Sequence, residues 1–333
     1  MFFKIFNRFS LNVTKIGSEQ KFFSQMYRNL PVANNFSMRS LRIFEFKEIL
    51  NTWAEKEGWN PGKYEYLPFY LASINGHKGL FLNDRIIASL SAVRYSKDFA
   101  FLGIYIVDPK YRAQGLGQIL AQSVLEELED CSLIGINAVQ QQVSNYQRKY
   151  GFMPFHLNSR WVGEFKIQNN FTLRSSEVDI KIIGREGLSI NELIDYDARI
   201  FSVPREKFLR KWIEMPESCL LTAIKKQKIC GYGVLSKCKD GYKVAPLFAD
   251  DEEIAKRLYA SFASILQEKQ NSVQLDIPEN NPAAVKLAEQ SGLLKKIVTT
   301  RMFKEKPPEL YKEKPPKQLN NDKVYASTTL ELG

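Results

Sequence analysis

Histidine is nearly missing from this chain. Only His77 and His156 occur among 333 residues, and the four cysteines, Cys131, Cys219, Cys230 and Cys238, form no CxxC pair, so no cluster has metal-ligand spacing. The cysteines read as reduced thiols of an intracellular protein, cytoplasmic or mitochondrial. No apolar run approaches the roughly 20 residues that a membrane-spanning helix needs. There is no basic stripe interleaved with aromatics either. The net charge is +10, yet Lys and Arg lie scattered among acids, which argues against a nucleic-acid groove and suits a smaller anionic ligand. Two common phosphate motifs are also lacking, since neither Gly-Lys-Ser/Thr nor G-x-G-x-x-G occurs. What remains is a globular composition, 44% hydrophobic and 25% charged, in a chain long enough for two domains of ordinary size.

The ends differ from the middle. In residues 1–36, Phe2, Phe6, Phe9, Val13 and Ile16 recur at helical spacing, Lys4, Arg8 and Lys15 fall on the other face, and Glu19 is the only acid. Two readings stay open for this segment: a mitochondrial presequence, or a basic arm that docks elsewhere. After Phe303, "KEKPPELYKEKPPK" pairs prolines twice and reads as a linker. The alternating stretch Val324 to Leu332 reads as a final strand that returns to the body.

Between the ends the chain reads as strands around turns, twice. Asp84 and Lys226 stand 142 residues apart, as do Asp98 and Asp240, while Gly151 and Gly292 stand 141 apart. The order of apolar strands and leucine-spaced helices repeats with that offset, so the chain is an internal repeat of one domain type.

One stretch of the first copy has no counterpart in the second. "IVDPKYRAQGLGQIL", residues 106 to 120, ends a strand and starts a helix through Gly115 and Gly117, with Arg112 beside them. The first amides of a helix have no internal partner, and two glycines let an anion approach the backbone closely. At the repeat offset the second copy reads "ADDEEIAKRLY", which has no glycine and begins with Asp250, Asp251, Glu252 and Glu253 after its first alanine. Carboxylates at a helix start satisfy the dipole themselves and repel a diphosphate.

These residues resemble the GNAT acetyltransferase superfamily, whose V-x-P-x-x-R-x-x-G-x-G motif stands here as Val107, Pro109, Arg112, Gly115 and Gly117, followed by the family's closing Gly-Phe at Gly151-Phe152. "WAEKEGWNPG", "APLFADD" and "TTLELG" look like tandem-GNAT proteins with a YitH-like second domain. The resemblance implies an α+β chain of two tandem GNAT-like domains, each a mostly antiparallel sheet flanked by helices: 1–36 a basic segment, 37–170 an acetyl-CoA-binding domain, and 171–333 a degenerate domain with linker and final strand. It implies acetyl-CoA as co-substrate, without a metal. Tyr105 and Val107 of the strand before the loop would pair with its pantetheine arm, and Arg112, Ala113, Gln114, Gly115, Leu116, Gly117 and Gln118 would cradle its pyrophosphate.

Acetyl transfer to a small-molecule or peptide amine needs a proton acceptor for the nitrogen and a donor for the departing thiolate. The family often places a donor tyrosine four residues before the Gly-Phe glycine. Here that position is Gln147, and Tyr146 is the nearest phenol, read either as that donor or as an ordinary packed aromatic. The strand "FAFLGIYIV" contains no carboxylate to serve as base. Glu57 and Trp59 lie where relatives line the acceptor pocket; they read as acceptor contacts, Glu57 as a base or ammonium anchor, or as parts of an N-P-G turn. The second domain reads as a packing partner or as a wall of the acceptor site. The alternative to an enzyme is a catalytically silent CoA-binding or scaffold protein.

Overall fold

The computed structural model of the chain describes residues 36–165, 179–266, 271–306 and 321–333. The presequence reading falls outside the described residues except for Phe36, which opens a strand, and so does the proline-paired linker beyond Lys306. The first half runs β1 (Phe36–Ser40), α1 (Ile43–Glu48) continuing through a wider turn over Ile49–Ala54, α2 (Tyr66–Ala72), β2 (His77–Leu82), β3 (Arg85–Arg94), β4 (Phe99–Val107), α3 (Leu116–Glu127), β5 (Leu133–Val139), α4 (Val143–Tyr150) and β6 (Met153–Glu164). The second runs β7 (Ile180–Ile183), α5 (Ile190–Phe201), α6 (Glu206–Trp212), β8 (Ser218–Lys225), β9 (Lys228–Lys237), β10 (Tyr242–Ala249), α7 (Glu252–Ile265), β11 (Ser272–Pro278), α8 (Pro282–Gln290), β12 (Leu294–Glu305) and β13 (Val324–Ala326).

The repeat is visible in backbone detail. Asn83 and Asp84 turn β2 into β3 with φ of 49° and 62°, and Lys226 and Gln227 turn β8 into β9 with φ of 48° and 60°. Paired positive φ values make the tight two-residue hairpin turn whose twist matches the strands, and Asn-Asp adopts it more easily than Lys-Gln. Helices α3 and α7 bury equivalent stripes, Leu116, Leu120 and Val124 in one and Ile254, Leu258 and Phe262 in the other. The two cores also fuse: Phe69 of α2 stacks on Trp212 of α6 at 5.8 Å between ring centroids.

All the strands belong to one sheet, in the order β1-β2-β3-β4-β5-β12-β6-β11-β10-β9-β8-β7, with β13 against β10. Among the described strands only β4–β5 and β10–β11 are parallel. The halves exchange their last long strands. β12 of the second half pairs with β5 of the first, and β6 of the first pairs with β11 of the second. At 12 residues each, β6 and β12 are long enough to pair on both sides, so neither half presents an open edge at the seam. The exchange is locked where Arg160 of β6 lies opposite Asp276 of β11: a buried, two-pronged ion pair at 2.7 and 2.8 Å.

The final strand is shorter than its alternating sequence predicts. Only Val324–Ala326 pairs, and the chain then leaves β10, with Ser327 N–H donating to the Asp276 carbonyl, and crosses the seam into the first half. Ser327 to Thr329 are buried all the same, so the alternation there records burial rather than pairing.

Candidate active site

Strands β4 and β5 pair only from Phe99 to Leu102, against Leu133 to Ile136, and then part. The register of β4 against β3 slips between Ser89 and Ser91, and Ile104 at the slip has φ of 51°. A β-branched residue in the left-handed region is strained, and such strain persists only where the surroundings enforce it. The V between the parted strands opens into a cleft of about 590 Å³.

The glycine turn closes one end of this cleft. Asp108 caps a short turn at Pro109–Tyr111 by accepting from the Lys110 amide, Ala113 has φ of 61°, and Gly115 precedes α3 with φ of 79°. The amides of Leu116, Gly117 and Gln118, in the first turn of a 12-residue helix, have no partner further back in it. A Cβ on Gly117 would lie 2.6 Å from the Tyr105 hydroxyl and 2.8 Å from a Val107 methyl, so only glycine fits beneath them. Arg112 donates through Nε to the Val107 carbonyl at 2.9 Å and through its guanidinium to Glu57. Lys149 joins from α4, its Nζ on the Gln118 amide oxygen at 3.2 Å, which puts a second cation at the turn.

Three phenols line the same wall. Tyr146 is edge-on to Phe152 at 6.2 Å and tilted against Tyr150 at 6.1 Å, and the Tyr105 hydroxyl bonds to that of Tyr150. Burial, reinforced by the neighbouring phenols, pushes both Tyr105 and Tyr146 above the ordinary phenol range. They stay protonated at neutral pH.

Of the residues singled out from the sequence, Glu57, Trp59, Tyr105, Val107, Arg112, Ala113, Gly115, Leu116, Gly117, Gln118 and Tyr146 all line this cleft. Gln114 does not, and turns its amide back to the Lys110 carbonyl. The loop carrying Glu57 and Trp59 leans on the second half. Asn60 exchanges two 3.0 Å bonds with Asp240 and Glu65 forms a buried pair with Lys243 at 2.7 Å, while Arg160 of β6, itself paired with Asp276 of the second half, donates to the Trp59 carbonyl.

The opposite wall holds residues that local sequence reading misses. Ile297 and Thr299 come from the exchanged strand β12, and Leu330 and Glu331 from the segment that crosses the seam. Burial pushes the Glu331 carboxyl above its ordinary value even though Lys243 and Arg160 pull it down. Its one sequence signal is an acid alone in a buried, threonine-rich run.

The corresponding V of the second half is filled. β10 pairs with β11 at Tyr242 and Lys243, and further along β13 lies against β10, with Leu247 opposite Ala326. Asn281 holds β13 by donating to the Val324 carbonyl at 3.0 Å. Asp251 caps α7 by accepting from the Ile254 amide at 2.9 Å, and Glu252 pairs with Lys256 and Lys286. A carboxylate of the chain thus sits where the first half offers free amides. Among the described residues, no group of three or more His, Cys, Asp or Glu is placed to hold a metal, and no helix is long and apolar enough to cross a membrane.

Residues 40–152 match the model of the "Acetyltransferase (GNAT) family" and residues 193–315 that of an "Acetyltransferase (GNAT) domain". Over 289 residues the chain is 26% identical to a holothin acyltransferase of Pseudoalteromonas sp. (strain SANK 73390), covering 86% of this chain and 91% of the relative. Among solved structures it resembles a candidate acetyltransferase from Pyrococcus horikoshii with a TM-score of 0.70 at 17% identity, over 90% of this chain and 96% of the other. It also resembles a tandem GNAT protein from the clavulanic acid biosynthesis pathway, with a TM-score of 0.61 at 11% identity, over 82% and 99%. At these identities the structural likeness bears on the fold alone.

Proposed function

The chain belongs to the GNAT acyltransferase family through both of its halves, and from that premise we propose that the first half transfers an acetyl group from acetyl-CoA to an amine by direct attack on the thioester. The observation that carries this reading is the contrast between two equivalent V-shaped openings. One has a glycine turn, unpartnered helix amides, two cations and a cleft of about 590 Å³; the other is plugged by its own chain. The residues present fit the co-substrate. Leu116, Gly117 and Gln118 offer amides to a pyrophosphate, with Arg112 and Lys149 adding charge, and the exposed edge of β4 from Tyr105 to Val107 offers peptide groups to the pantetheine arm.

Tyr146 or its neighbour Tyr150 protonates the departing sulfur in this reading, since burial keeps a phenol neutral until a stronger base forms beside it. Arg112, bound to Glu57, sets the charge at the mouth of the cleft, and Trp59 forms one side of the acceptor pocket. The likeness to a holothin acyltransferase supports acyl transfer, and the YitH-like likeness of the second half, in "APLFADD" and "TTLELG", belongs to the same reading. Thiol release from acetyl-CoA over a panel of primary amines tests it. Turnover on at least one amine, reduced about 10²-fold or more by Tyr146→Phe or Tyr150→Phe, is the expected result. CoA binding without thiol release on any amine favours a silent CoA-binding protein instead.

A further inference from the structure

We propose that Glu331, delivered across the seam by the second half, is the proton acceptor for the attacking amine in the first half's cleft. The proposal rests on the acyl-transfer reading above and supplies the base that β4 lacks.

The backbone around Glu331 is fixed from both sides. Its own amide and that of Leu332 donate to the Thr329 hydroxyl at 2.9 Å, the Leu330 carbonyl accepts from Asn137 at 2.7 Å, and the Leu332 carbonyl accepts from the Tyr95 hydroxyl at 2.7 Å. Upstream, Arg205, itself forked onto Asp197, donates to the Thr328 hydroxyl at 2.8 Å. The approach to β4 is close enough that a Cβ on Gly103 would lie 1.5 Å from the Glu331 carbonyl oxygen. Gly103 adjoins the strained Ile104, at the point where β4 parts from β5 and the cleft begins.

The side chain is treated differently from the backbone. Glu331 lines the cleft, and its Oε2 is buried with no hydrogen-bond partner. Burying a carboxyl oxygen unpaired is costly, so its retention points to a partner supplied from the cleft. The charged groups facing it are Lys243 of β10, Arg160 of β6, Asp276 of β11 and Glu65 ahead of α2. Arg160 is forked onto Asp276 and Lys243 is bonded to Glu65, which leaves Glu331 as the carboxyl of this seam without a cation bonded to it. Among the described residues, Glu57 and Glu331 are the two acidic residues lining the cleft, and Glu57 engages Arg112. Burial raises the Glu331 carboxyl, which makes it a better base for an ammonium than an ordinary surface glutamate.

The step balances as follows. The C–N bond forms to the acyl carbon as the C–S bond breaks, giving an amide and the free CoA thiol. An ammonium acceptor sheds two protons: one leaves through Glu331 to solvent, and the other restores, through water, the phenol that protonated the sulfur.

A CoA thioether bearing a short arm with a terminal primary amine probes this directly, because the arm carries a cation to where the acceptor nitrogen would lie. Calorimetry on the full chain is expected to show that Glu331→Gln weakens this thioether at least tenfold while the affinity for plain CoA changes less than twofold. Glu331→Asp, expected to recover part of the loss, and an unchanged melting temperature separate this from misfolding. In turnover with any accepted amine, Glu331→Gln is expected to lower kcat at least a hundredfold and to replace the wild-type plateau with a rate that keeps rising with pH. Equal affinities of wild type and Glu331→Gln for the amine thioether would overturn the assignment. A wild-type chain that binds neither ligand would overturn the acyl-transfer reading itself.

Discussion

The two halves of this molecule start from the same scaffold, a pair of parallel strands that part after a few residues, and differ in what enters the gap. In the first half β4 and β5 separate beyond Leu102 and Ile136 and leave a cleft; in the second, β10 and β11 separate beyond Lys243 and Gln274 and take in β13. The helix that follows repeats the difference, with Gly115 and Gly117 leaving amides free at α3 and Asp251 capping α7. Without a ligand in such a gap the backbone groups lining it must be satisfied by the chain, because an unpaired buried peptide group costs about 1–3 kcal/mol. Here the chain supplies both replacements. The strand that plugs the second gap then runs on to furnish a wall of the first, so the filled half is joined to the open one by one continuous segment.

That coupling can be broken at its tightest point. Removing the charge of Asp276 leaves Arg160 buried without a counter-ion, so Asp276→Asn is expected to lower stability by about 3–5 kcal/mol in urea unfolding, with both halves lost in one transition because their strands are exchanged. Making the first half resemble the second is the next largest change. Gly117→Val forces a side chain against Tyr105 and Val107 and into the anion seat, and CoA affinity is expected to fall at least a hundredfold by calorimetry.

Acid distinguishes the halves as well, since both histidines lie in the first. His77 is fully buried between Ser91 and the Phe69 carbonyl, and burial lowers its pKa from 6.5 to about 4. The unfolded chain therefore binds more protons between these values: the stability contributed by neutral His77 is complete above about pH 6.5 and declines as pH falls toward 4. At pH 5 the loss is about 2 kcal/mol, and His156, lowered to about 3, adds in the same direction. Unfolding curves at pH 7 and pH 5 test this, and equal midpoints would refute it. The smallest effect is expected in the second half, where Asp251→Ala removes a helix cap at a cost of about 1 kcal/mol and creates no second CoA site, because β13 still fills the gap.

Much of this was legible locally. The hairpin turns at Asn83–Asp84 and Lys226–Gln227, the helix after Gly115 and the left-handed Gly151 follow from residues within a few positions of one another. The exchange of β6 and β12 is not local, since each strand carries the alternation that suits either neighbour and the choice is made by partners such as Asp276 more than a hundred residues away. Glu331 was hidden for the same reason. Its neighbours in sequence are threonines and leucines, while its place in the cleft is set by Asn137, Tyr95 and Gly103 from the other half. The carboxylate missing from β4 was a readable absence, though nothing near it in sequence says where a replacement would come from.

The central claim is that one of the two gaps holds acyl-CoA and the other is closed by the chain itself. Calorimetric titration of the full chain with acetyl-CoA tests this most directly. The account predicts one equivalent bound per chain, abolished by Gly117→Val and untouched by Asp251→Ala; two equivalents, or one that survives Gly117→Val, would contradict it.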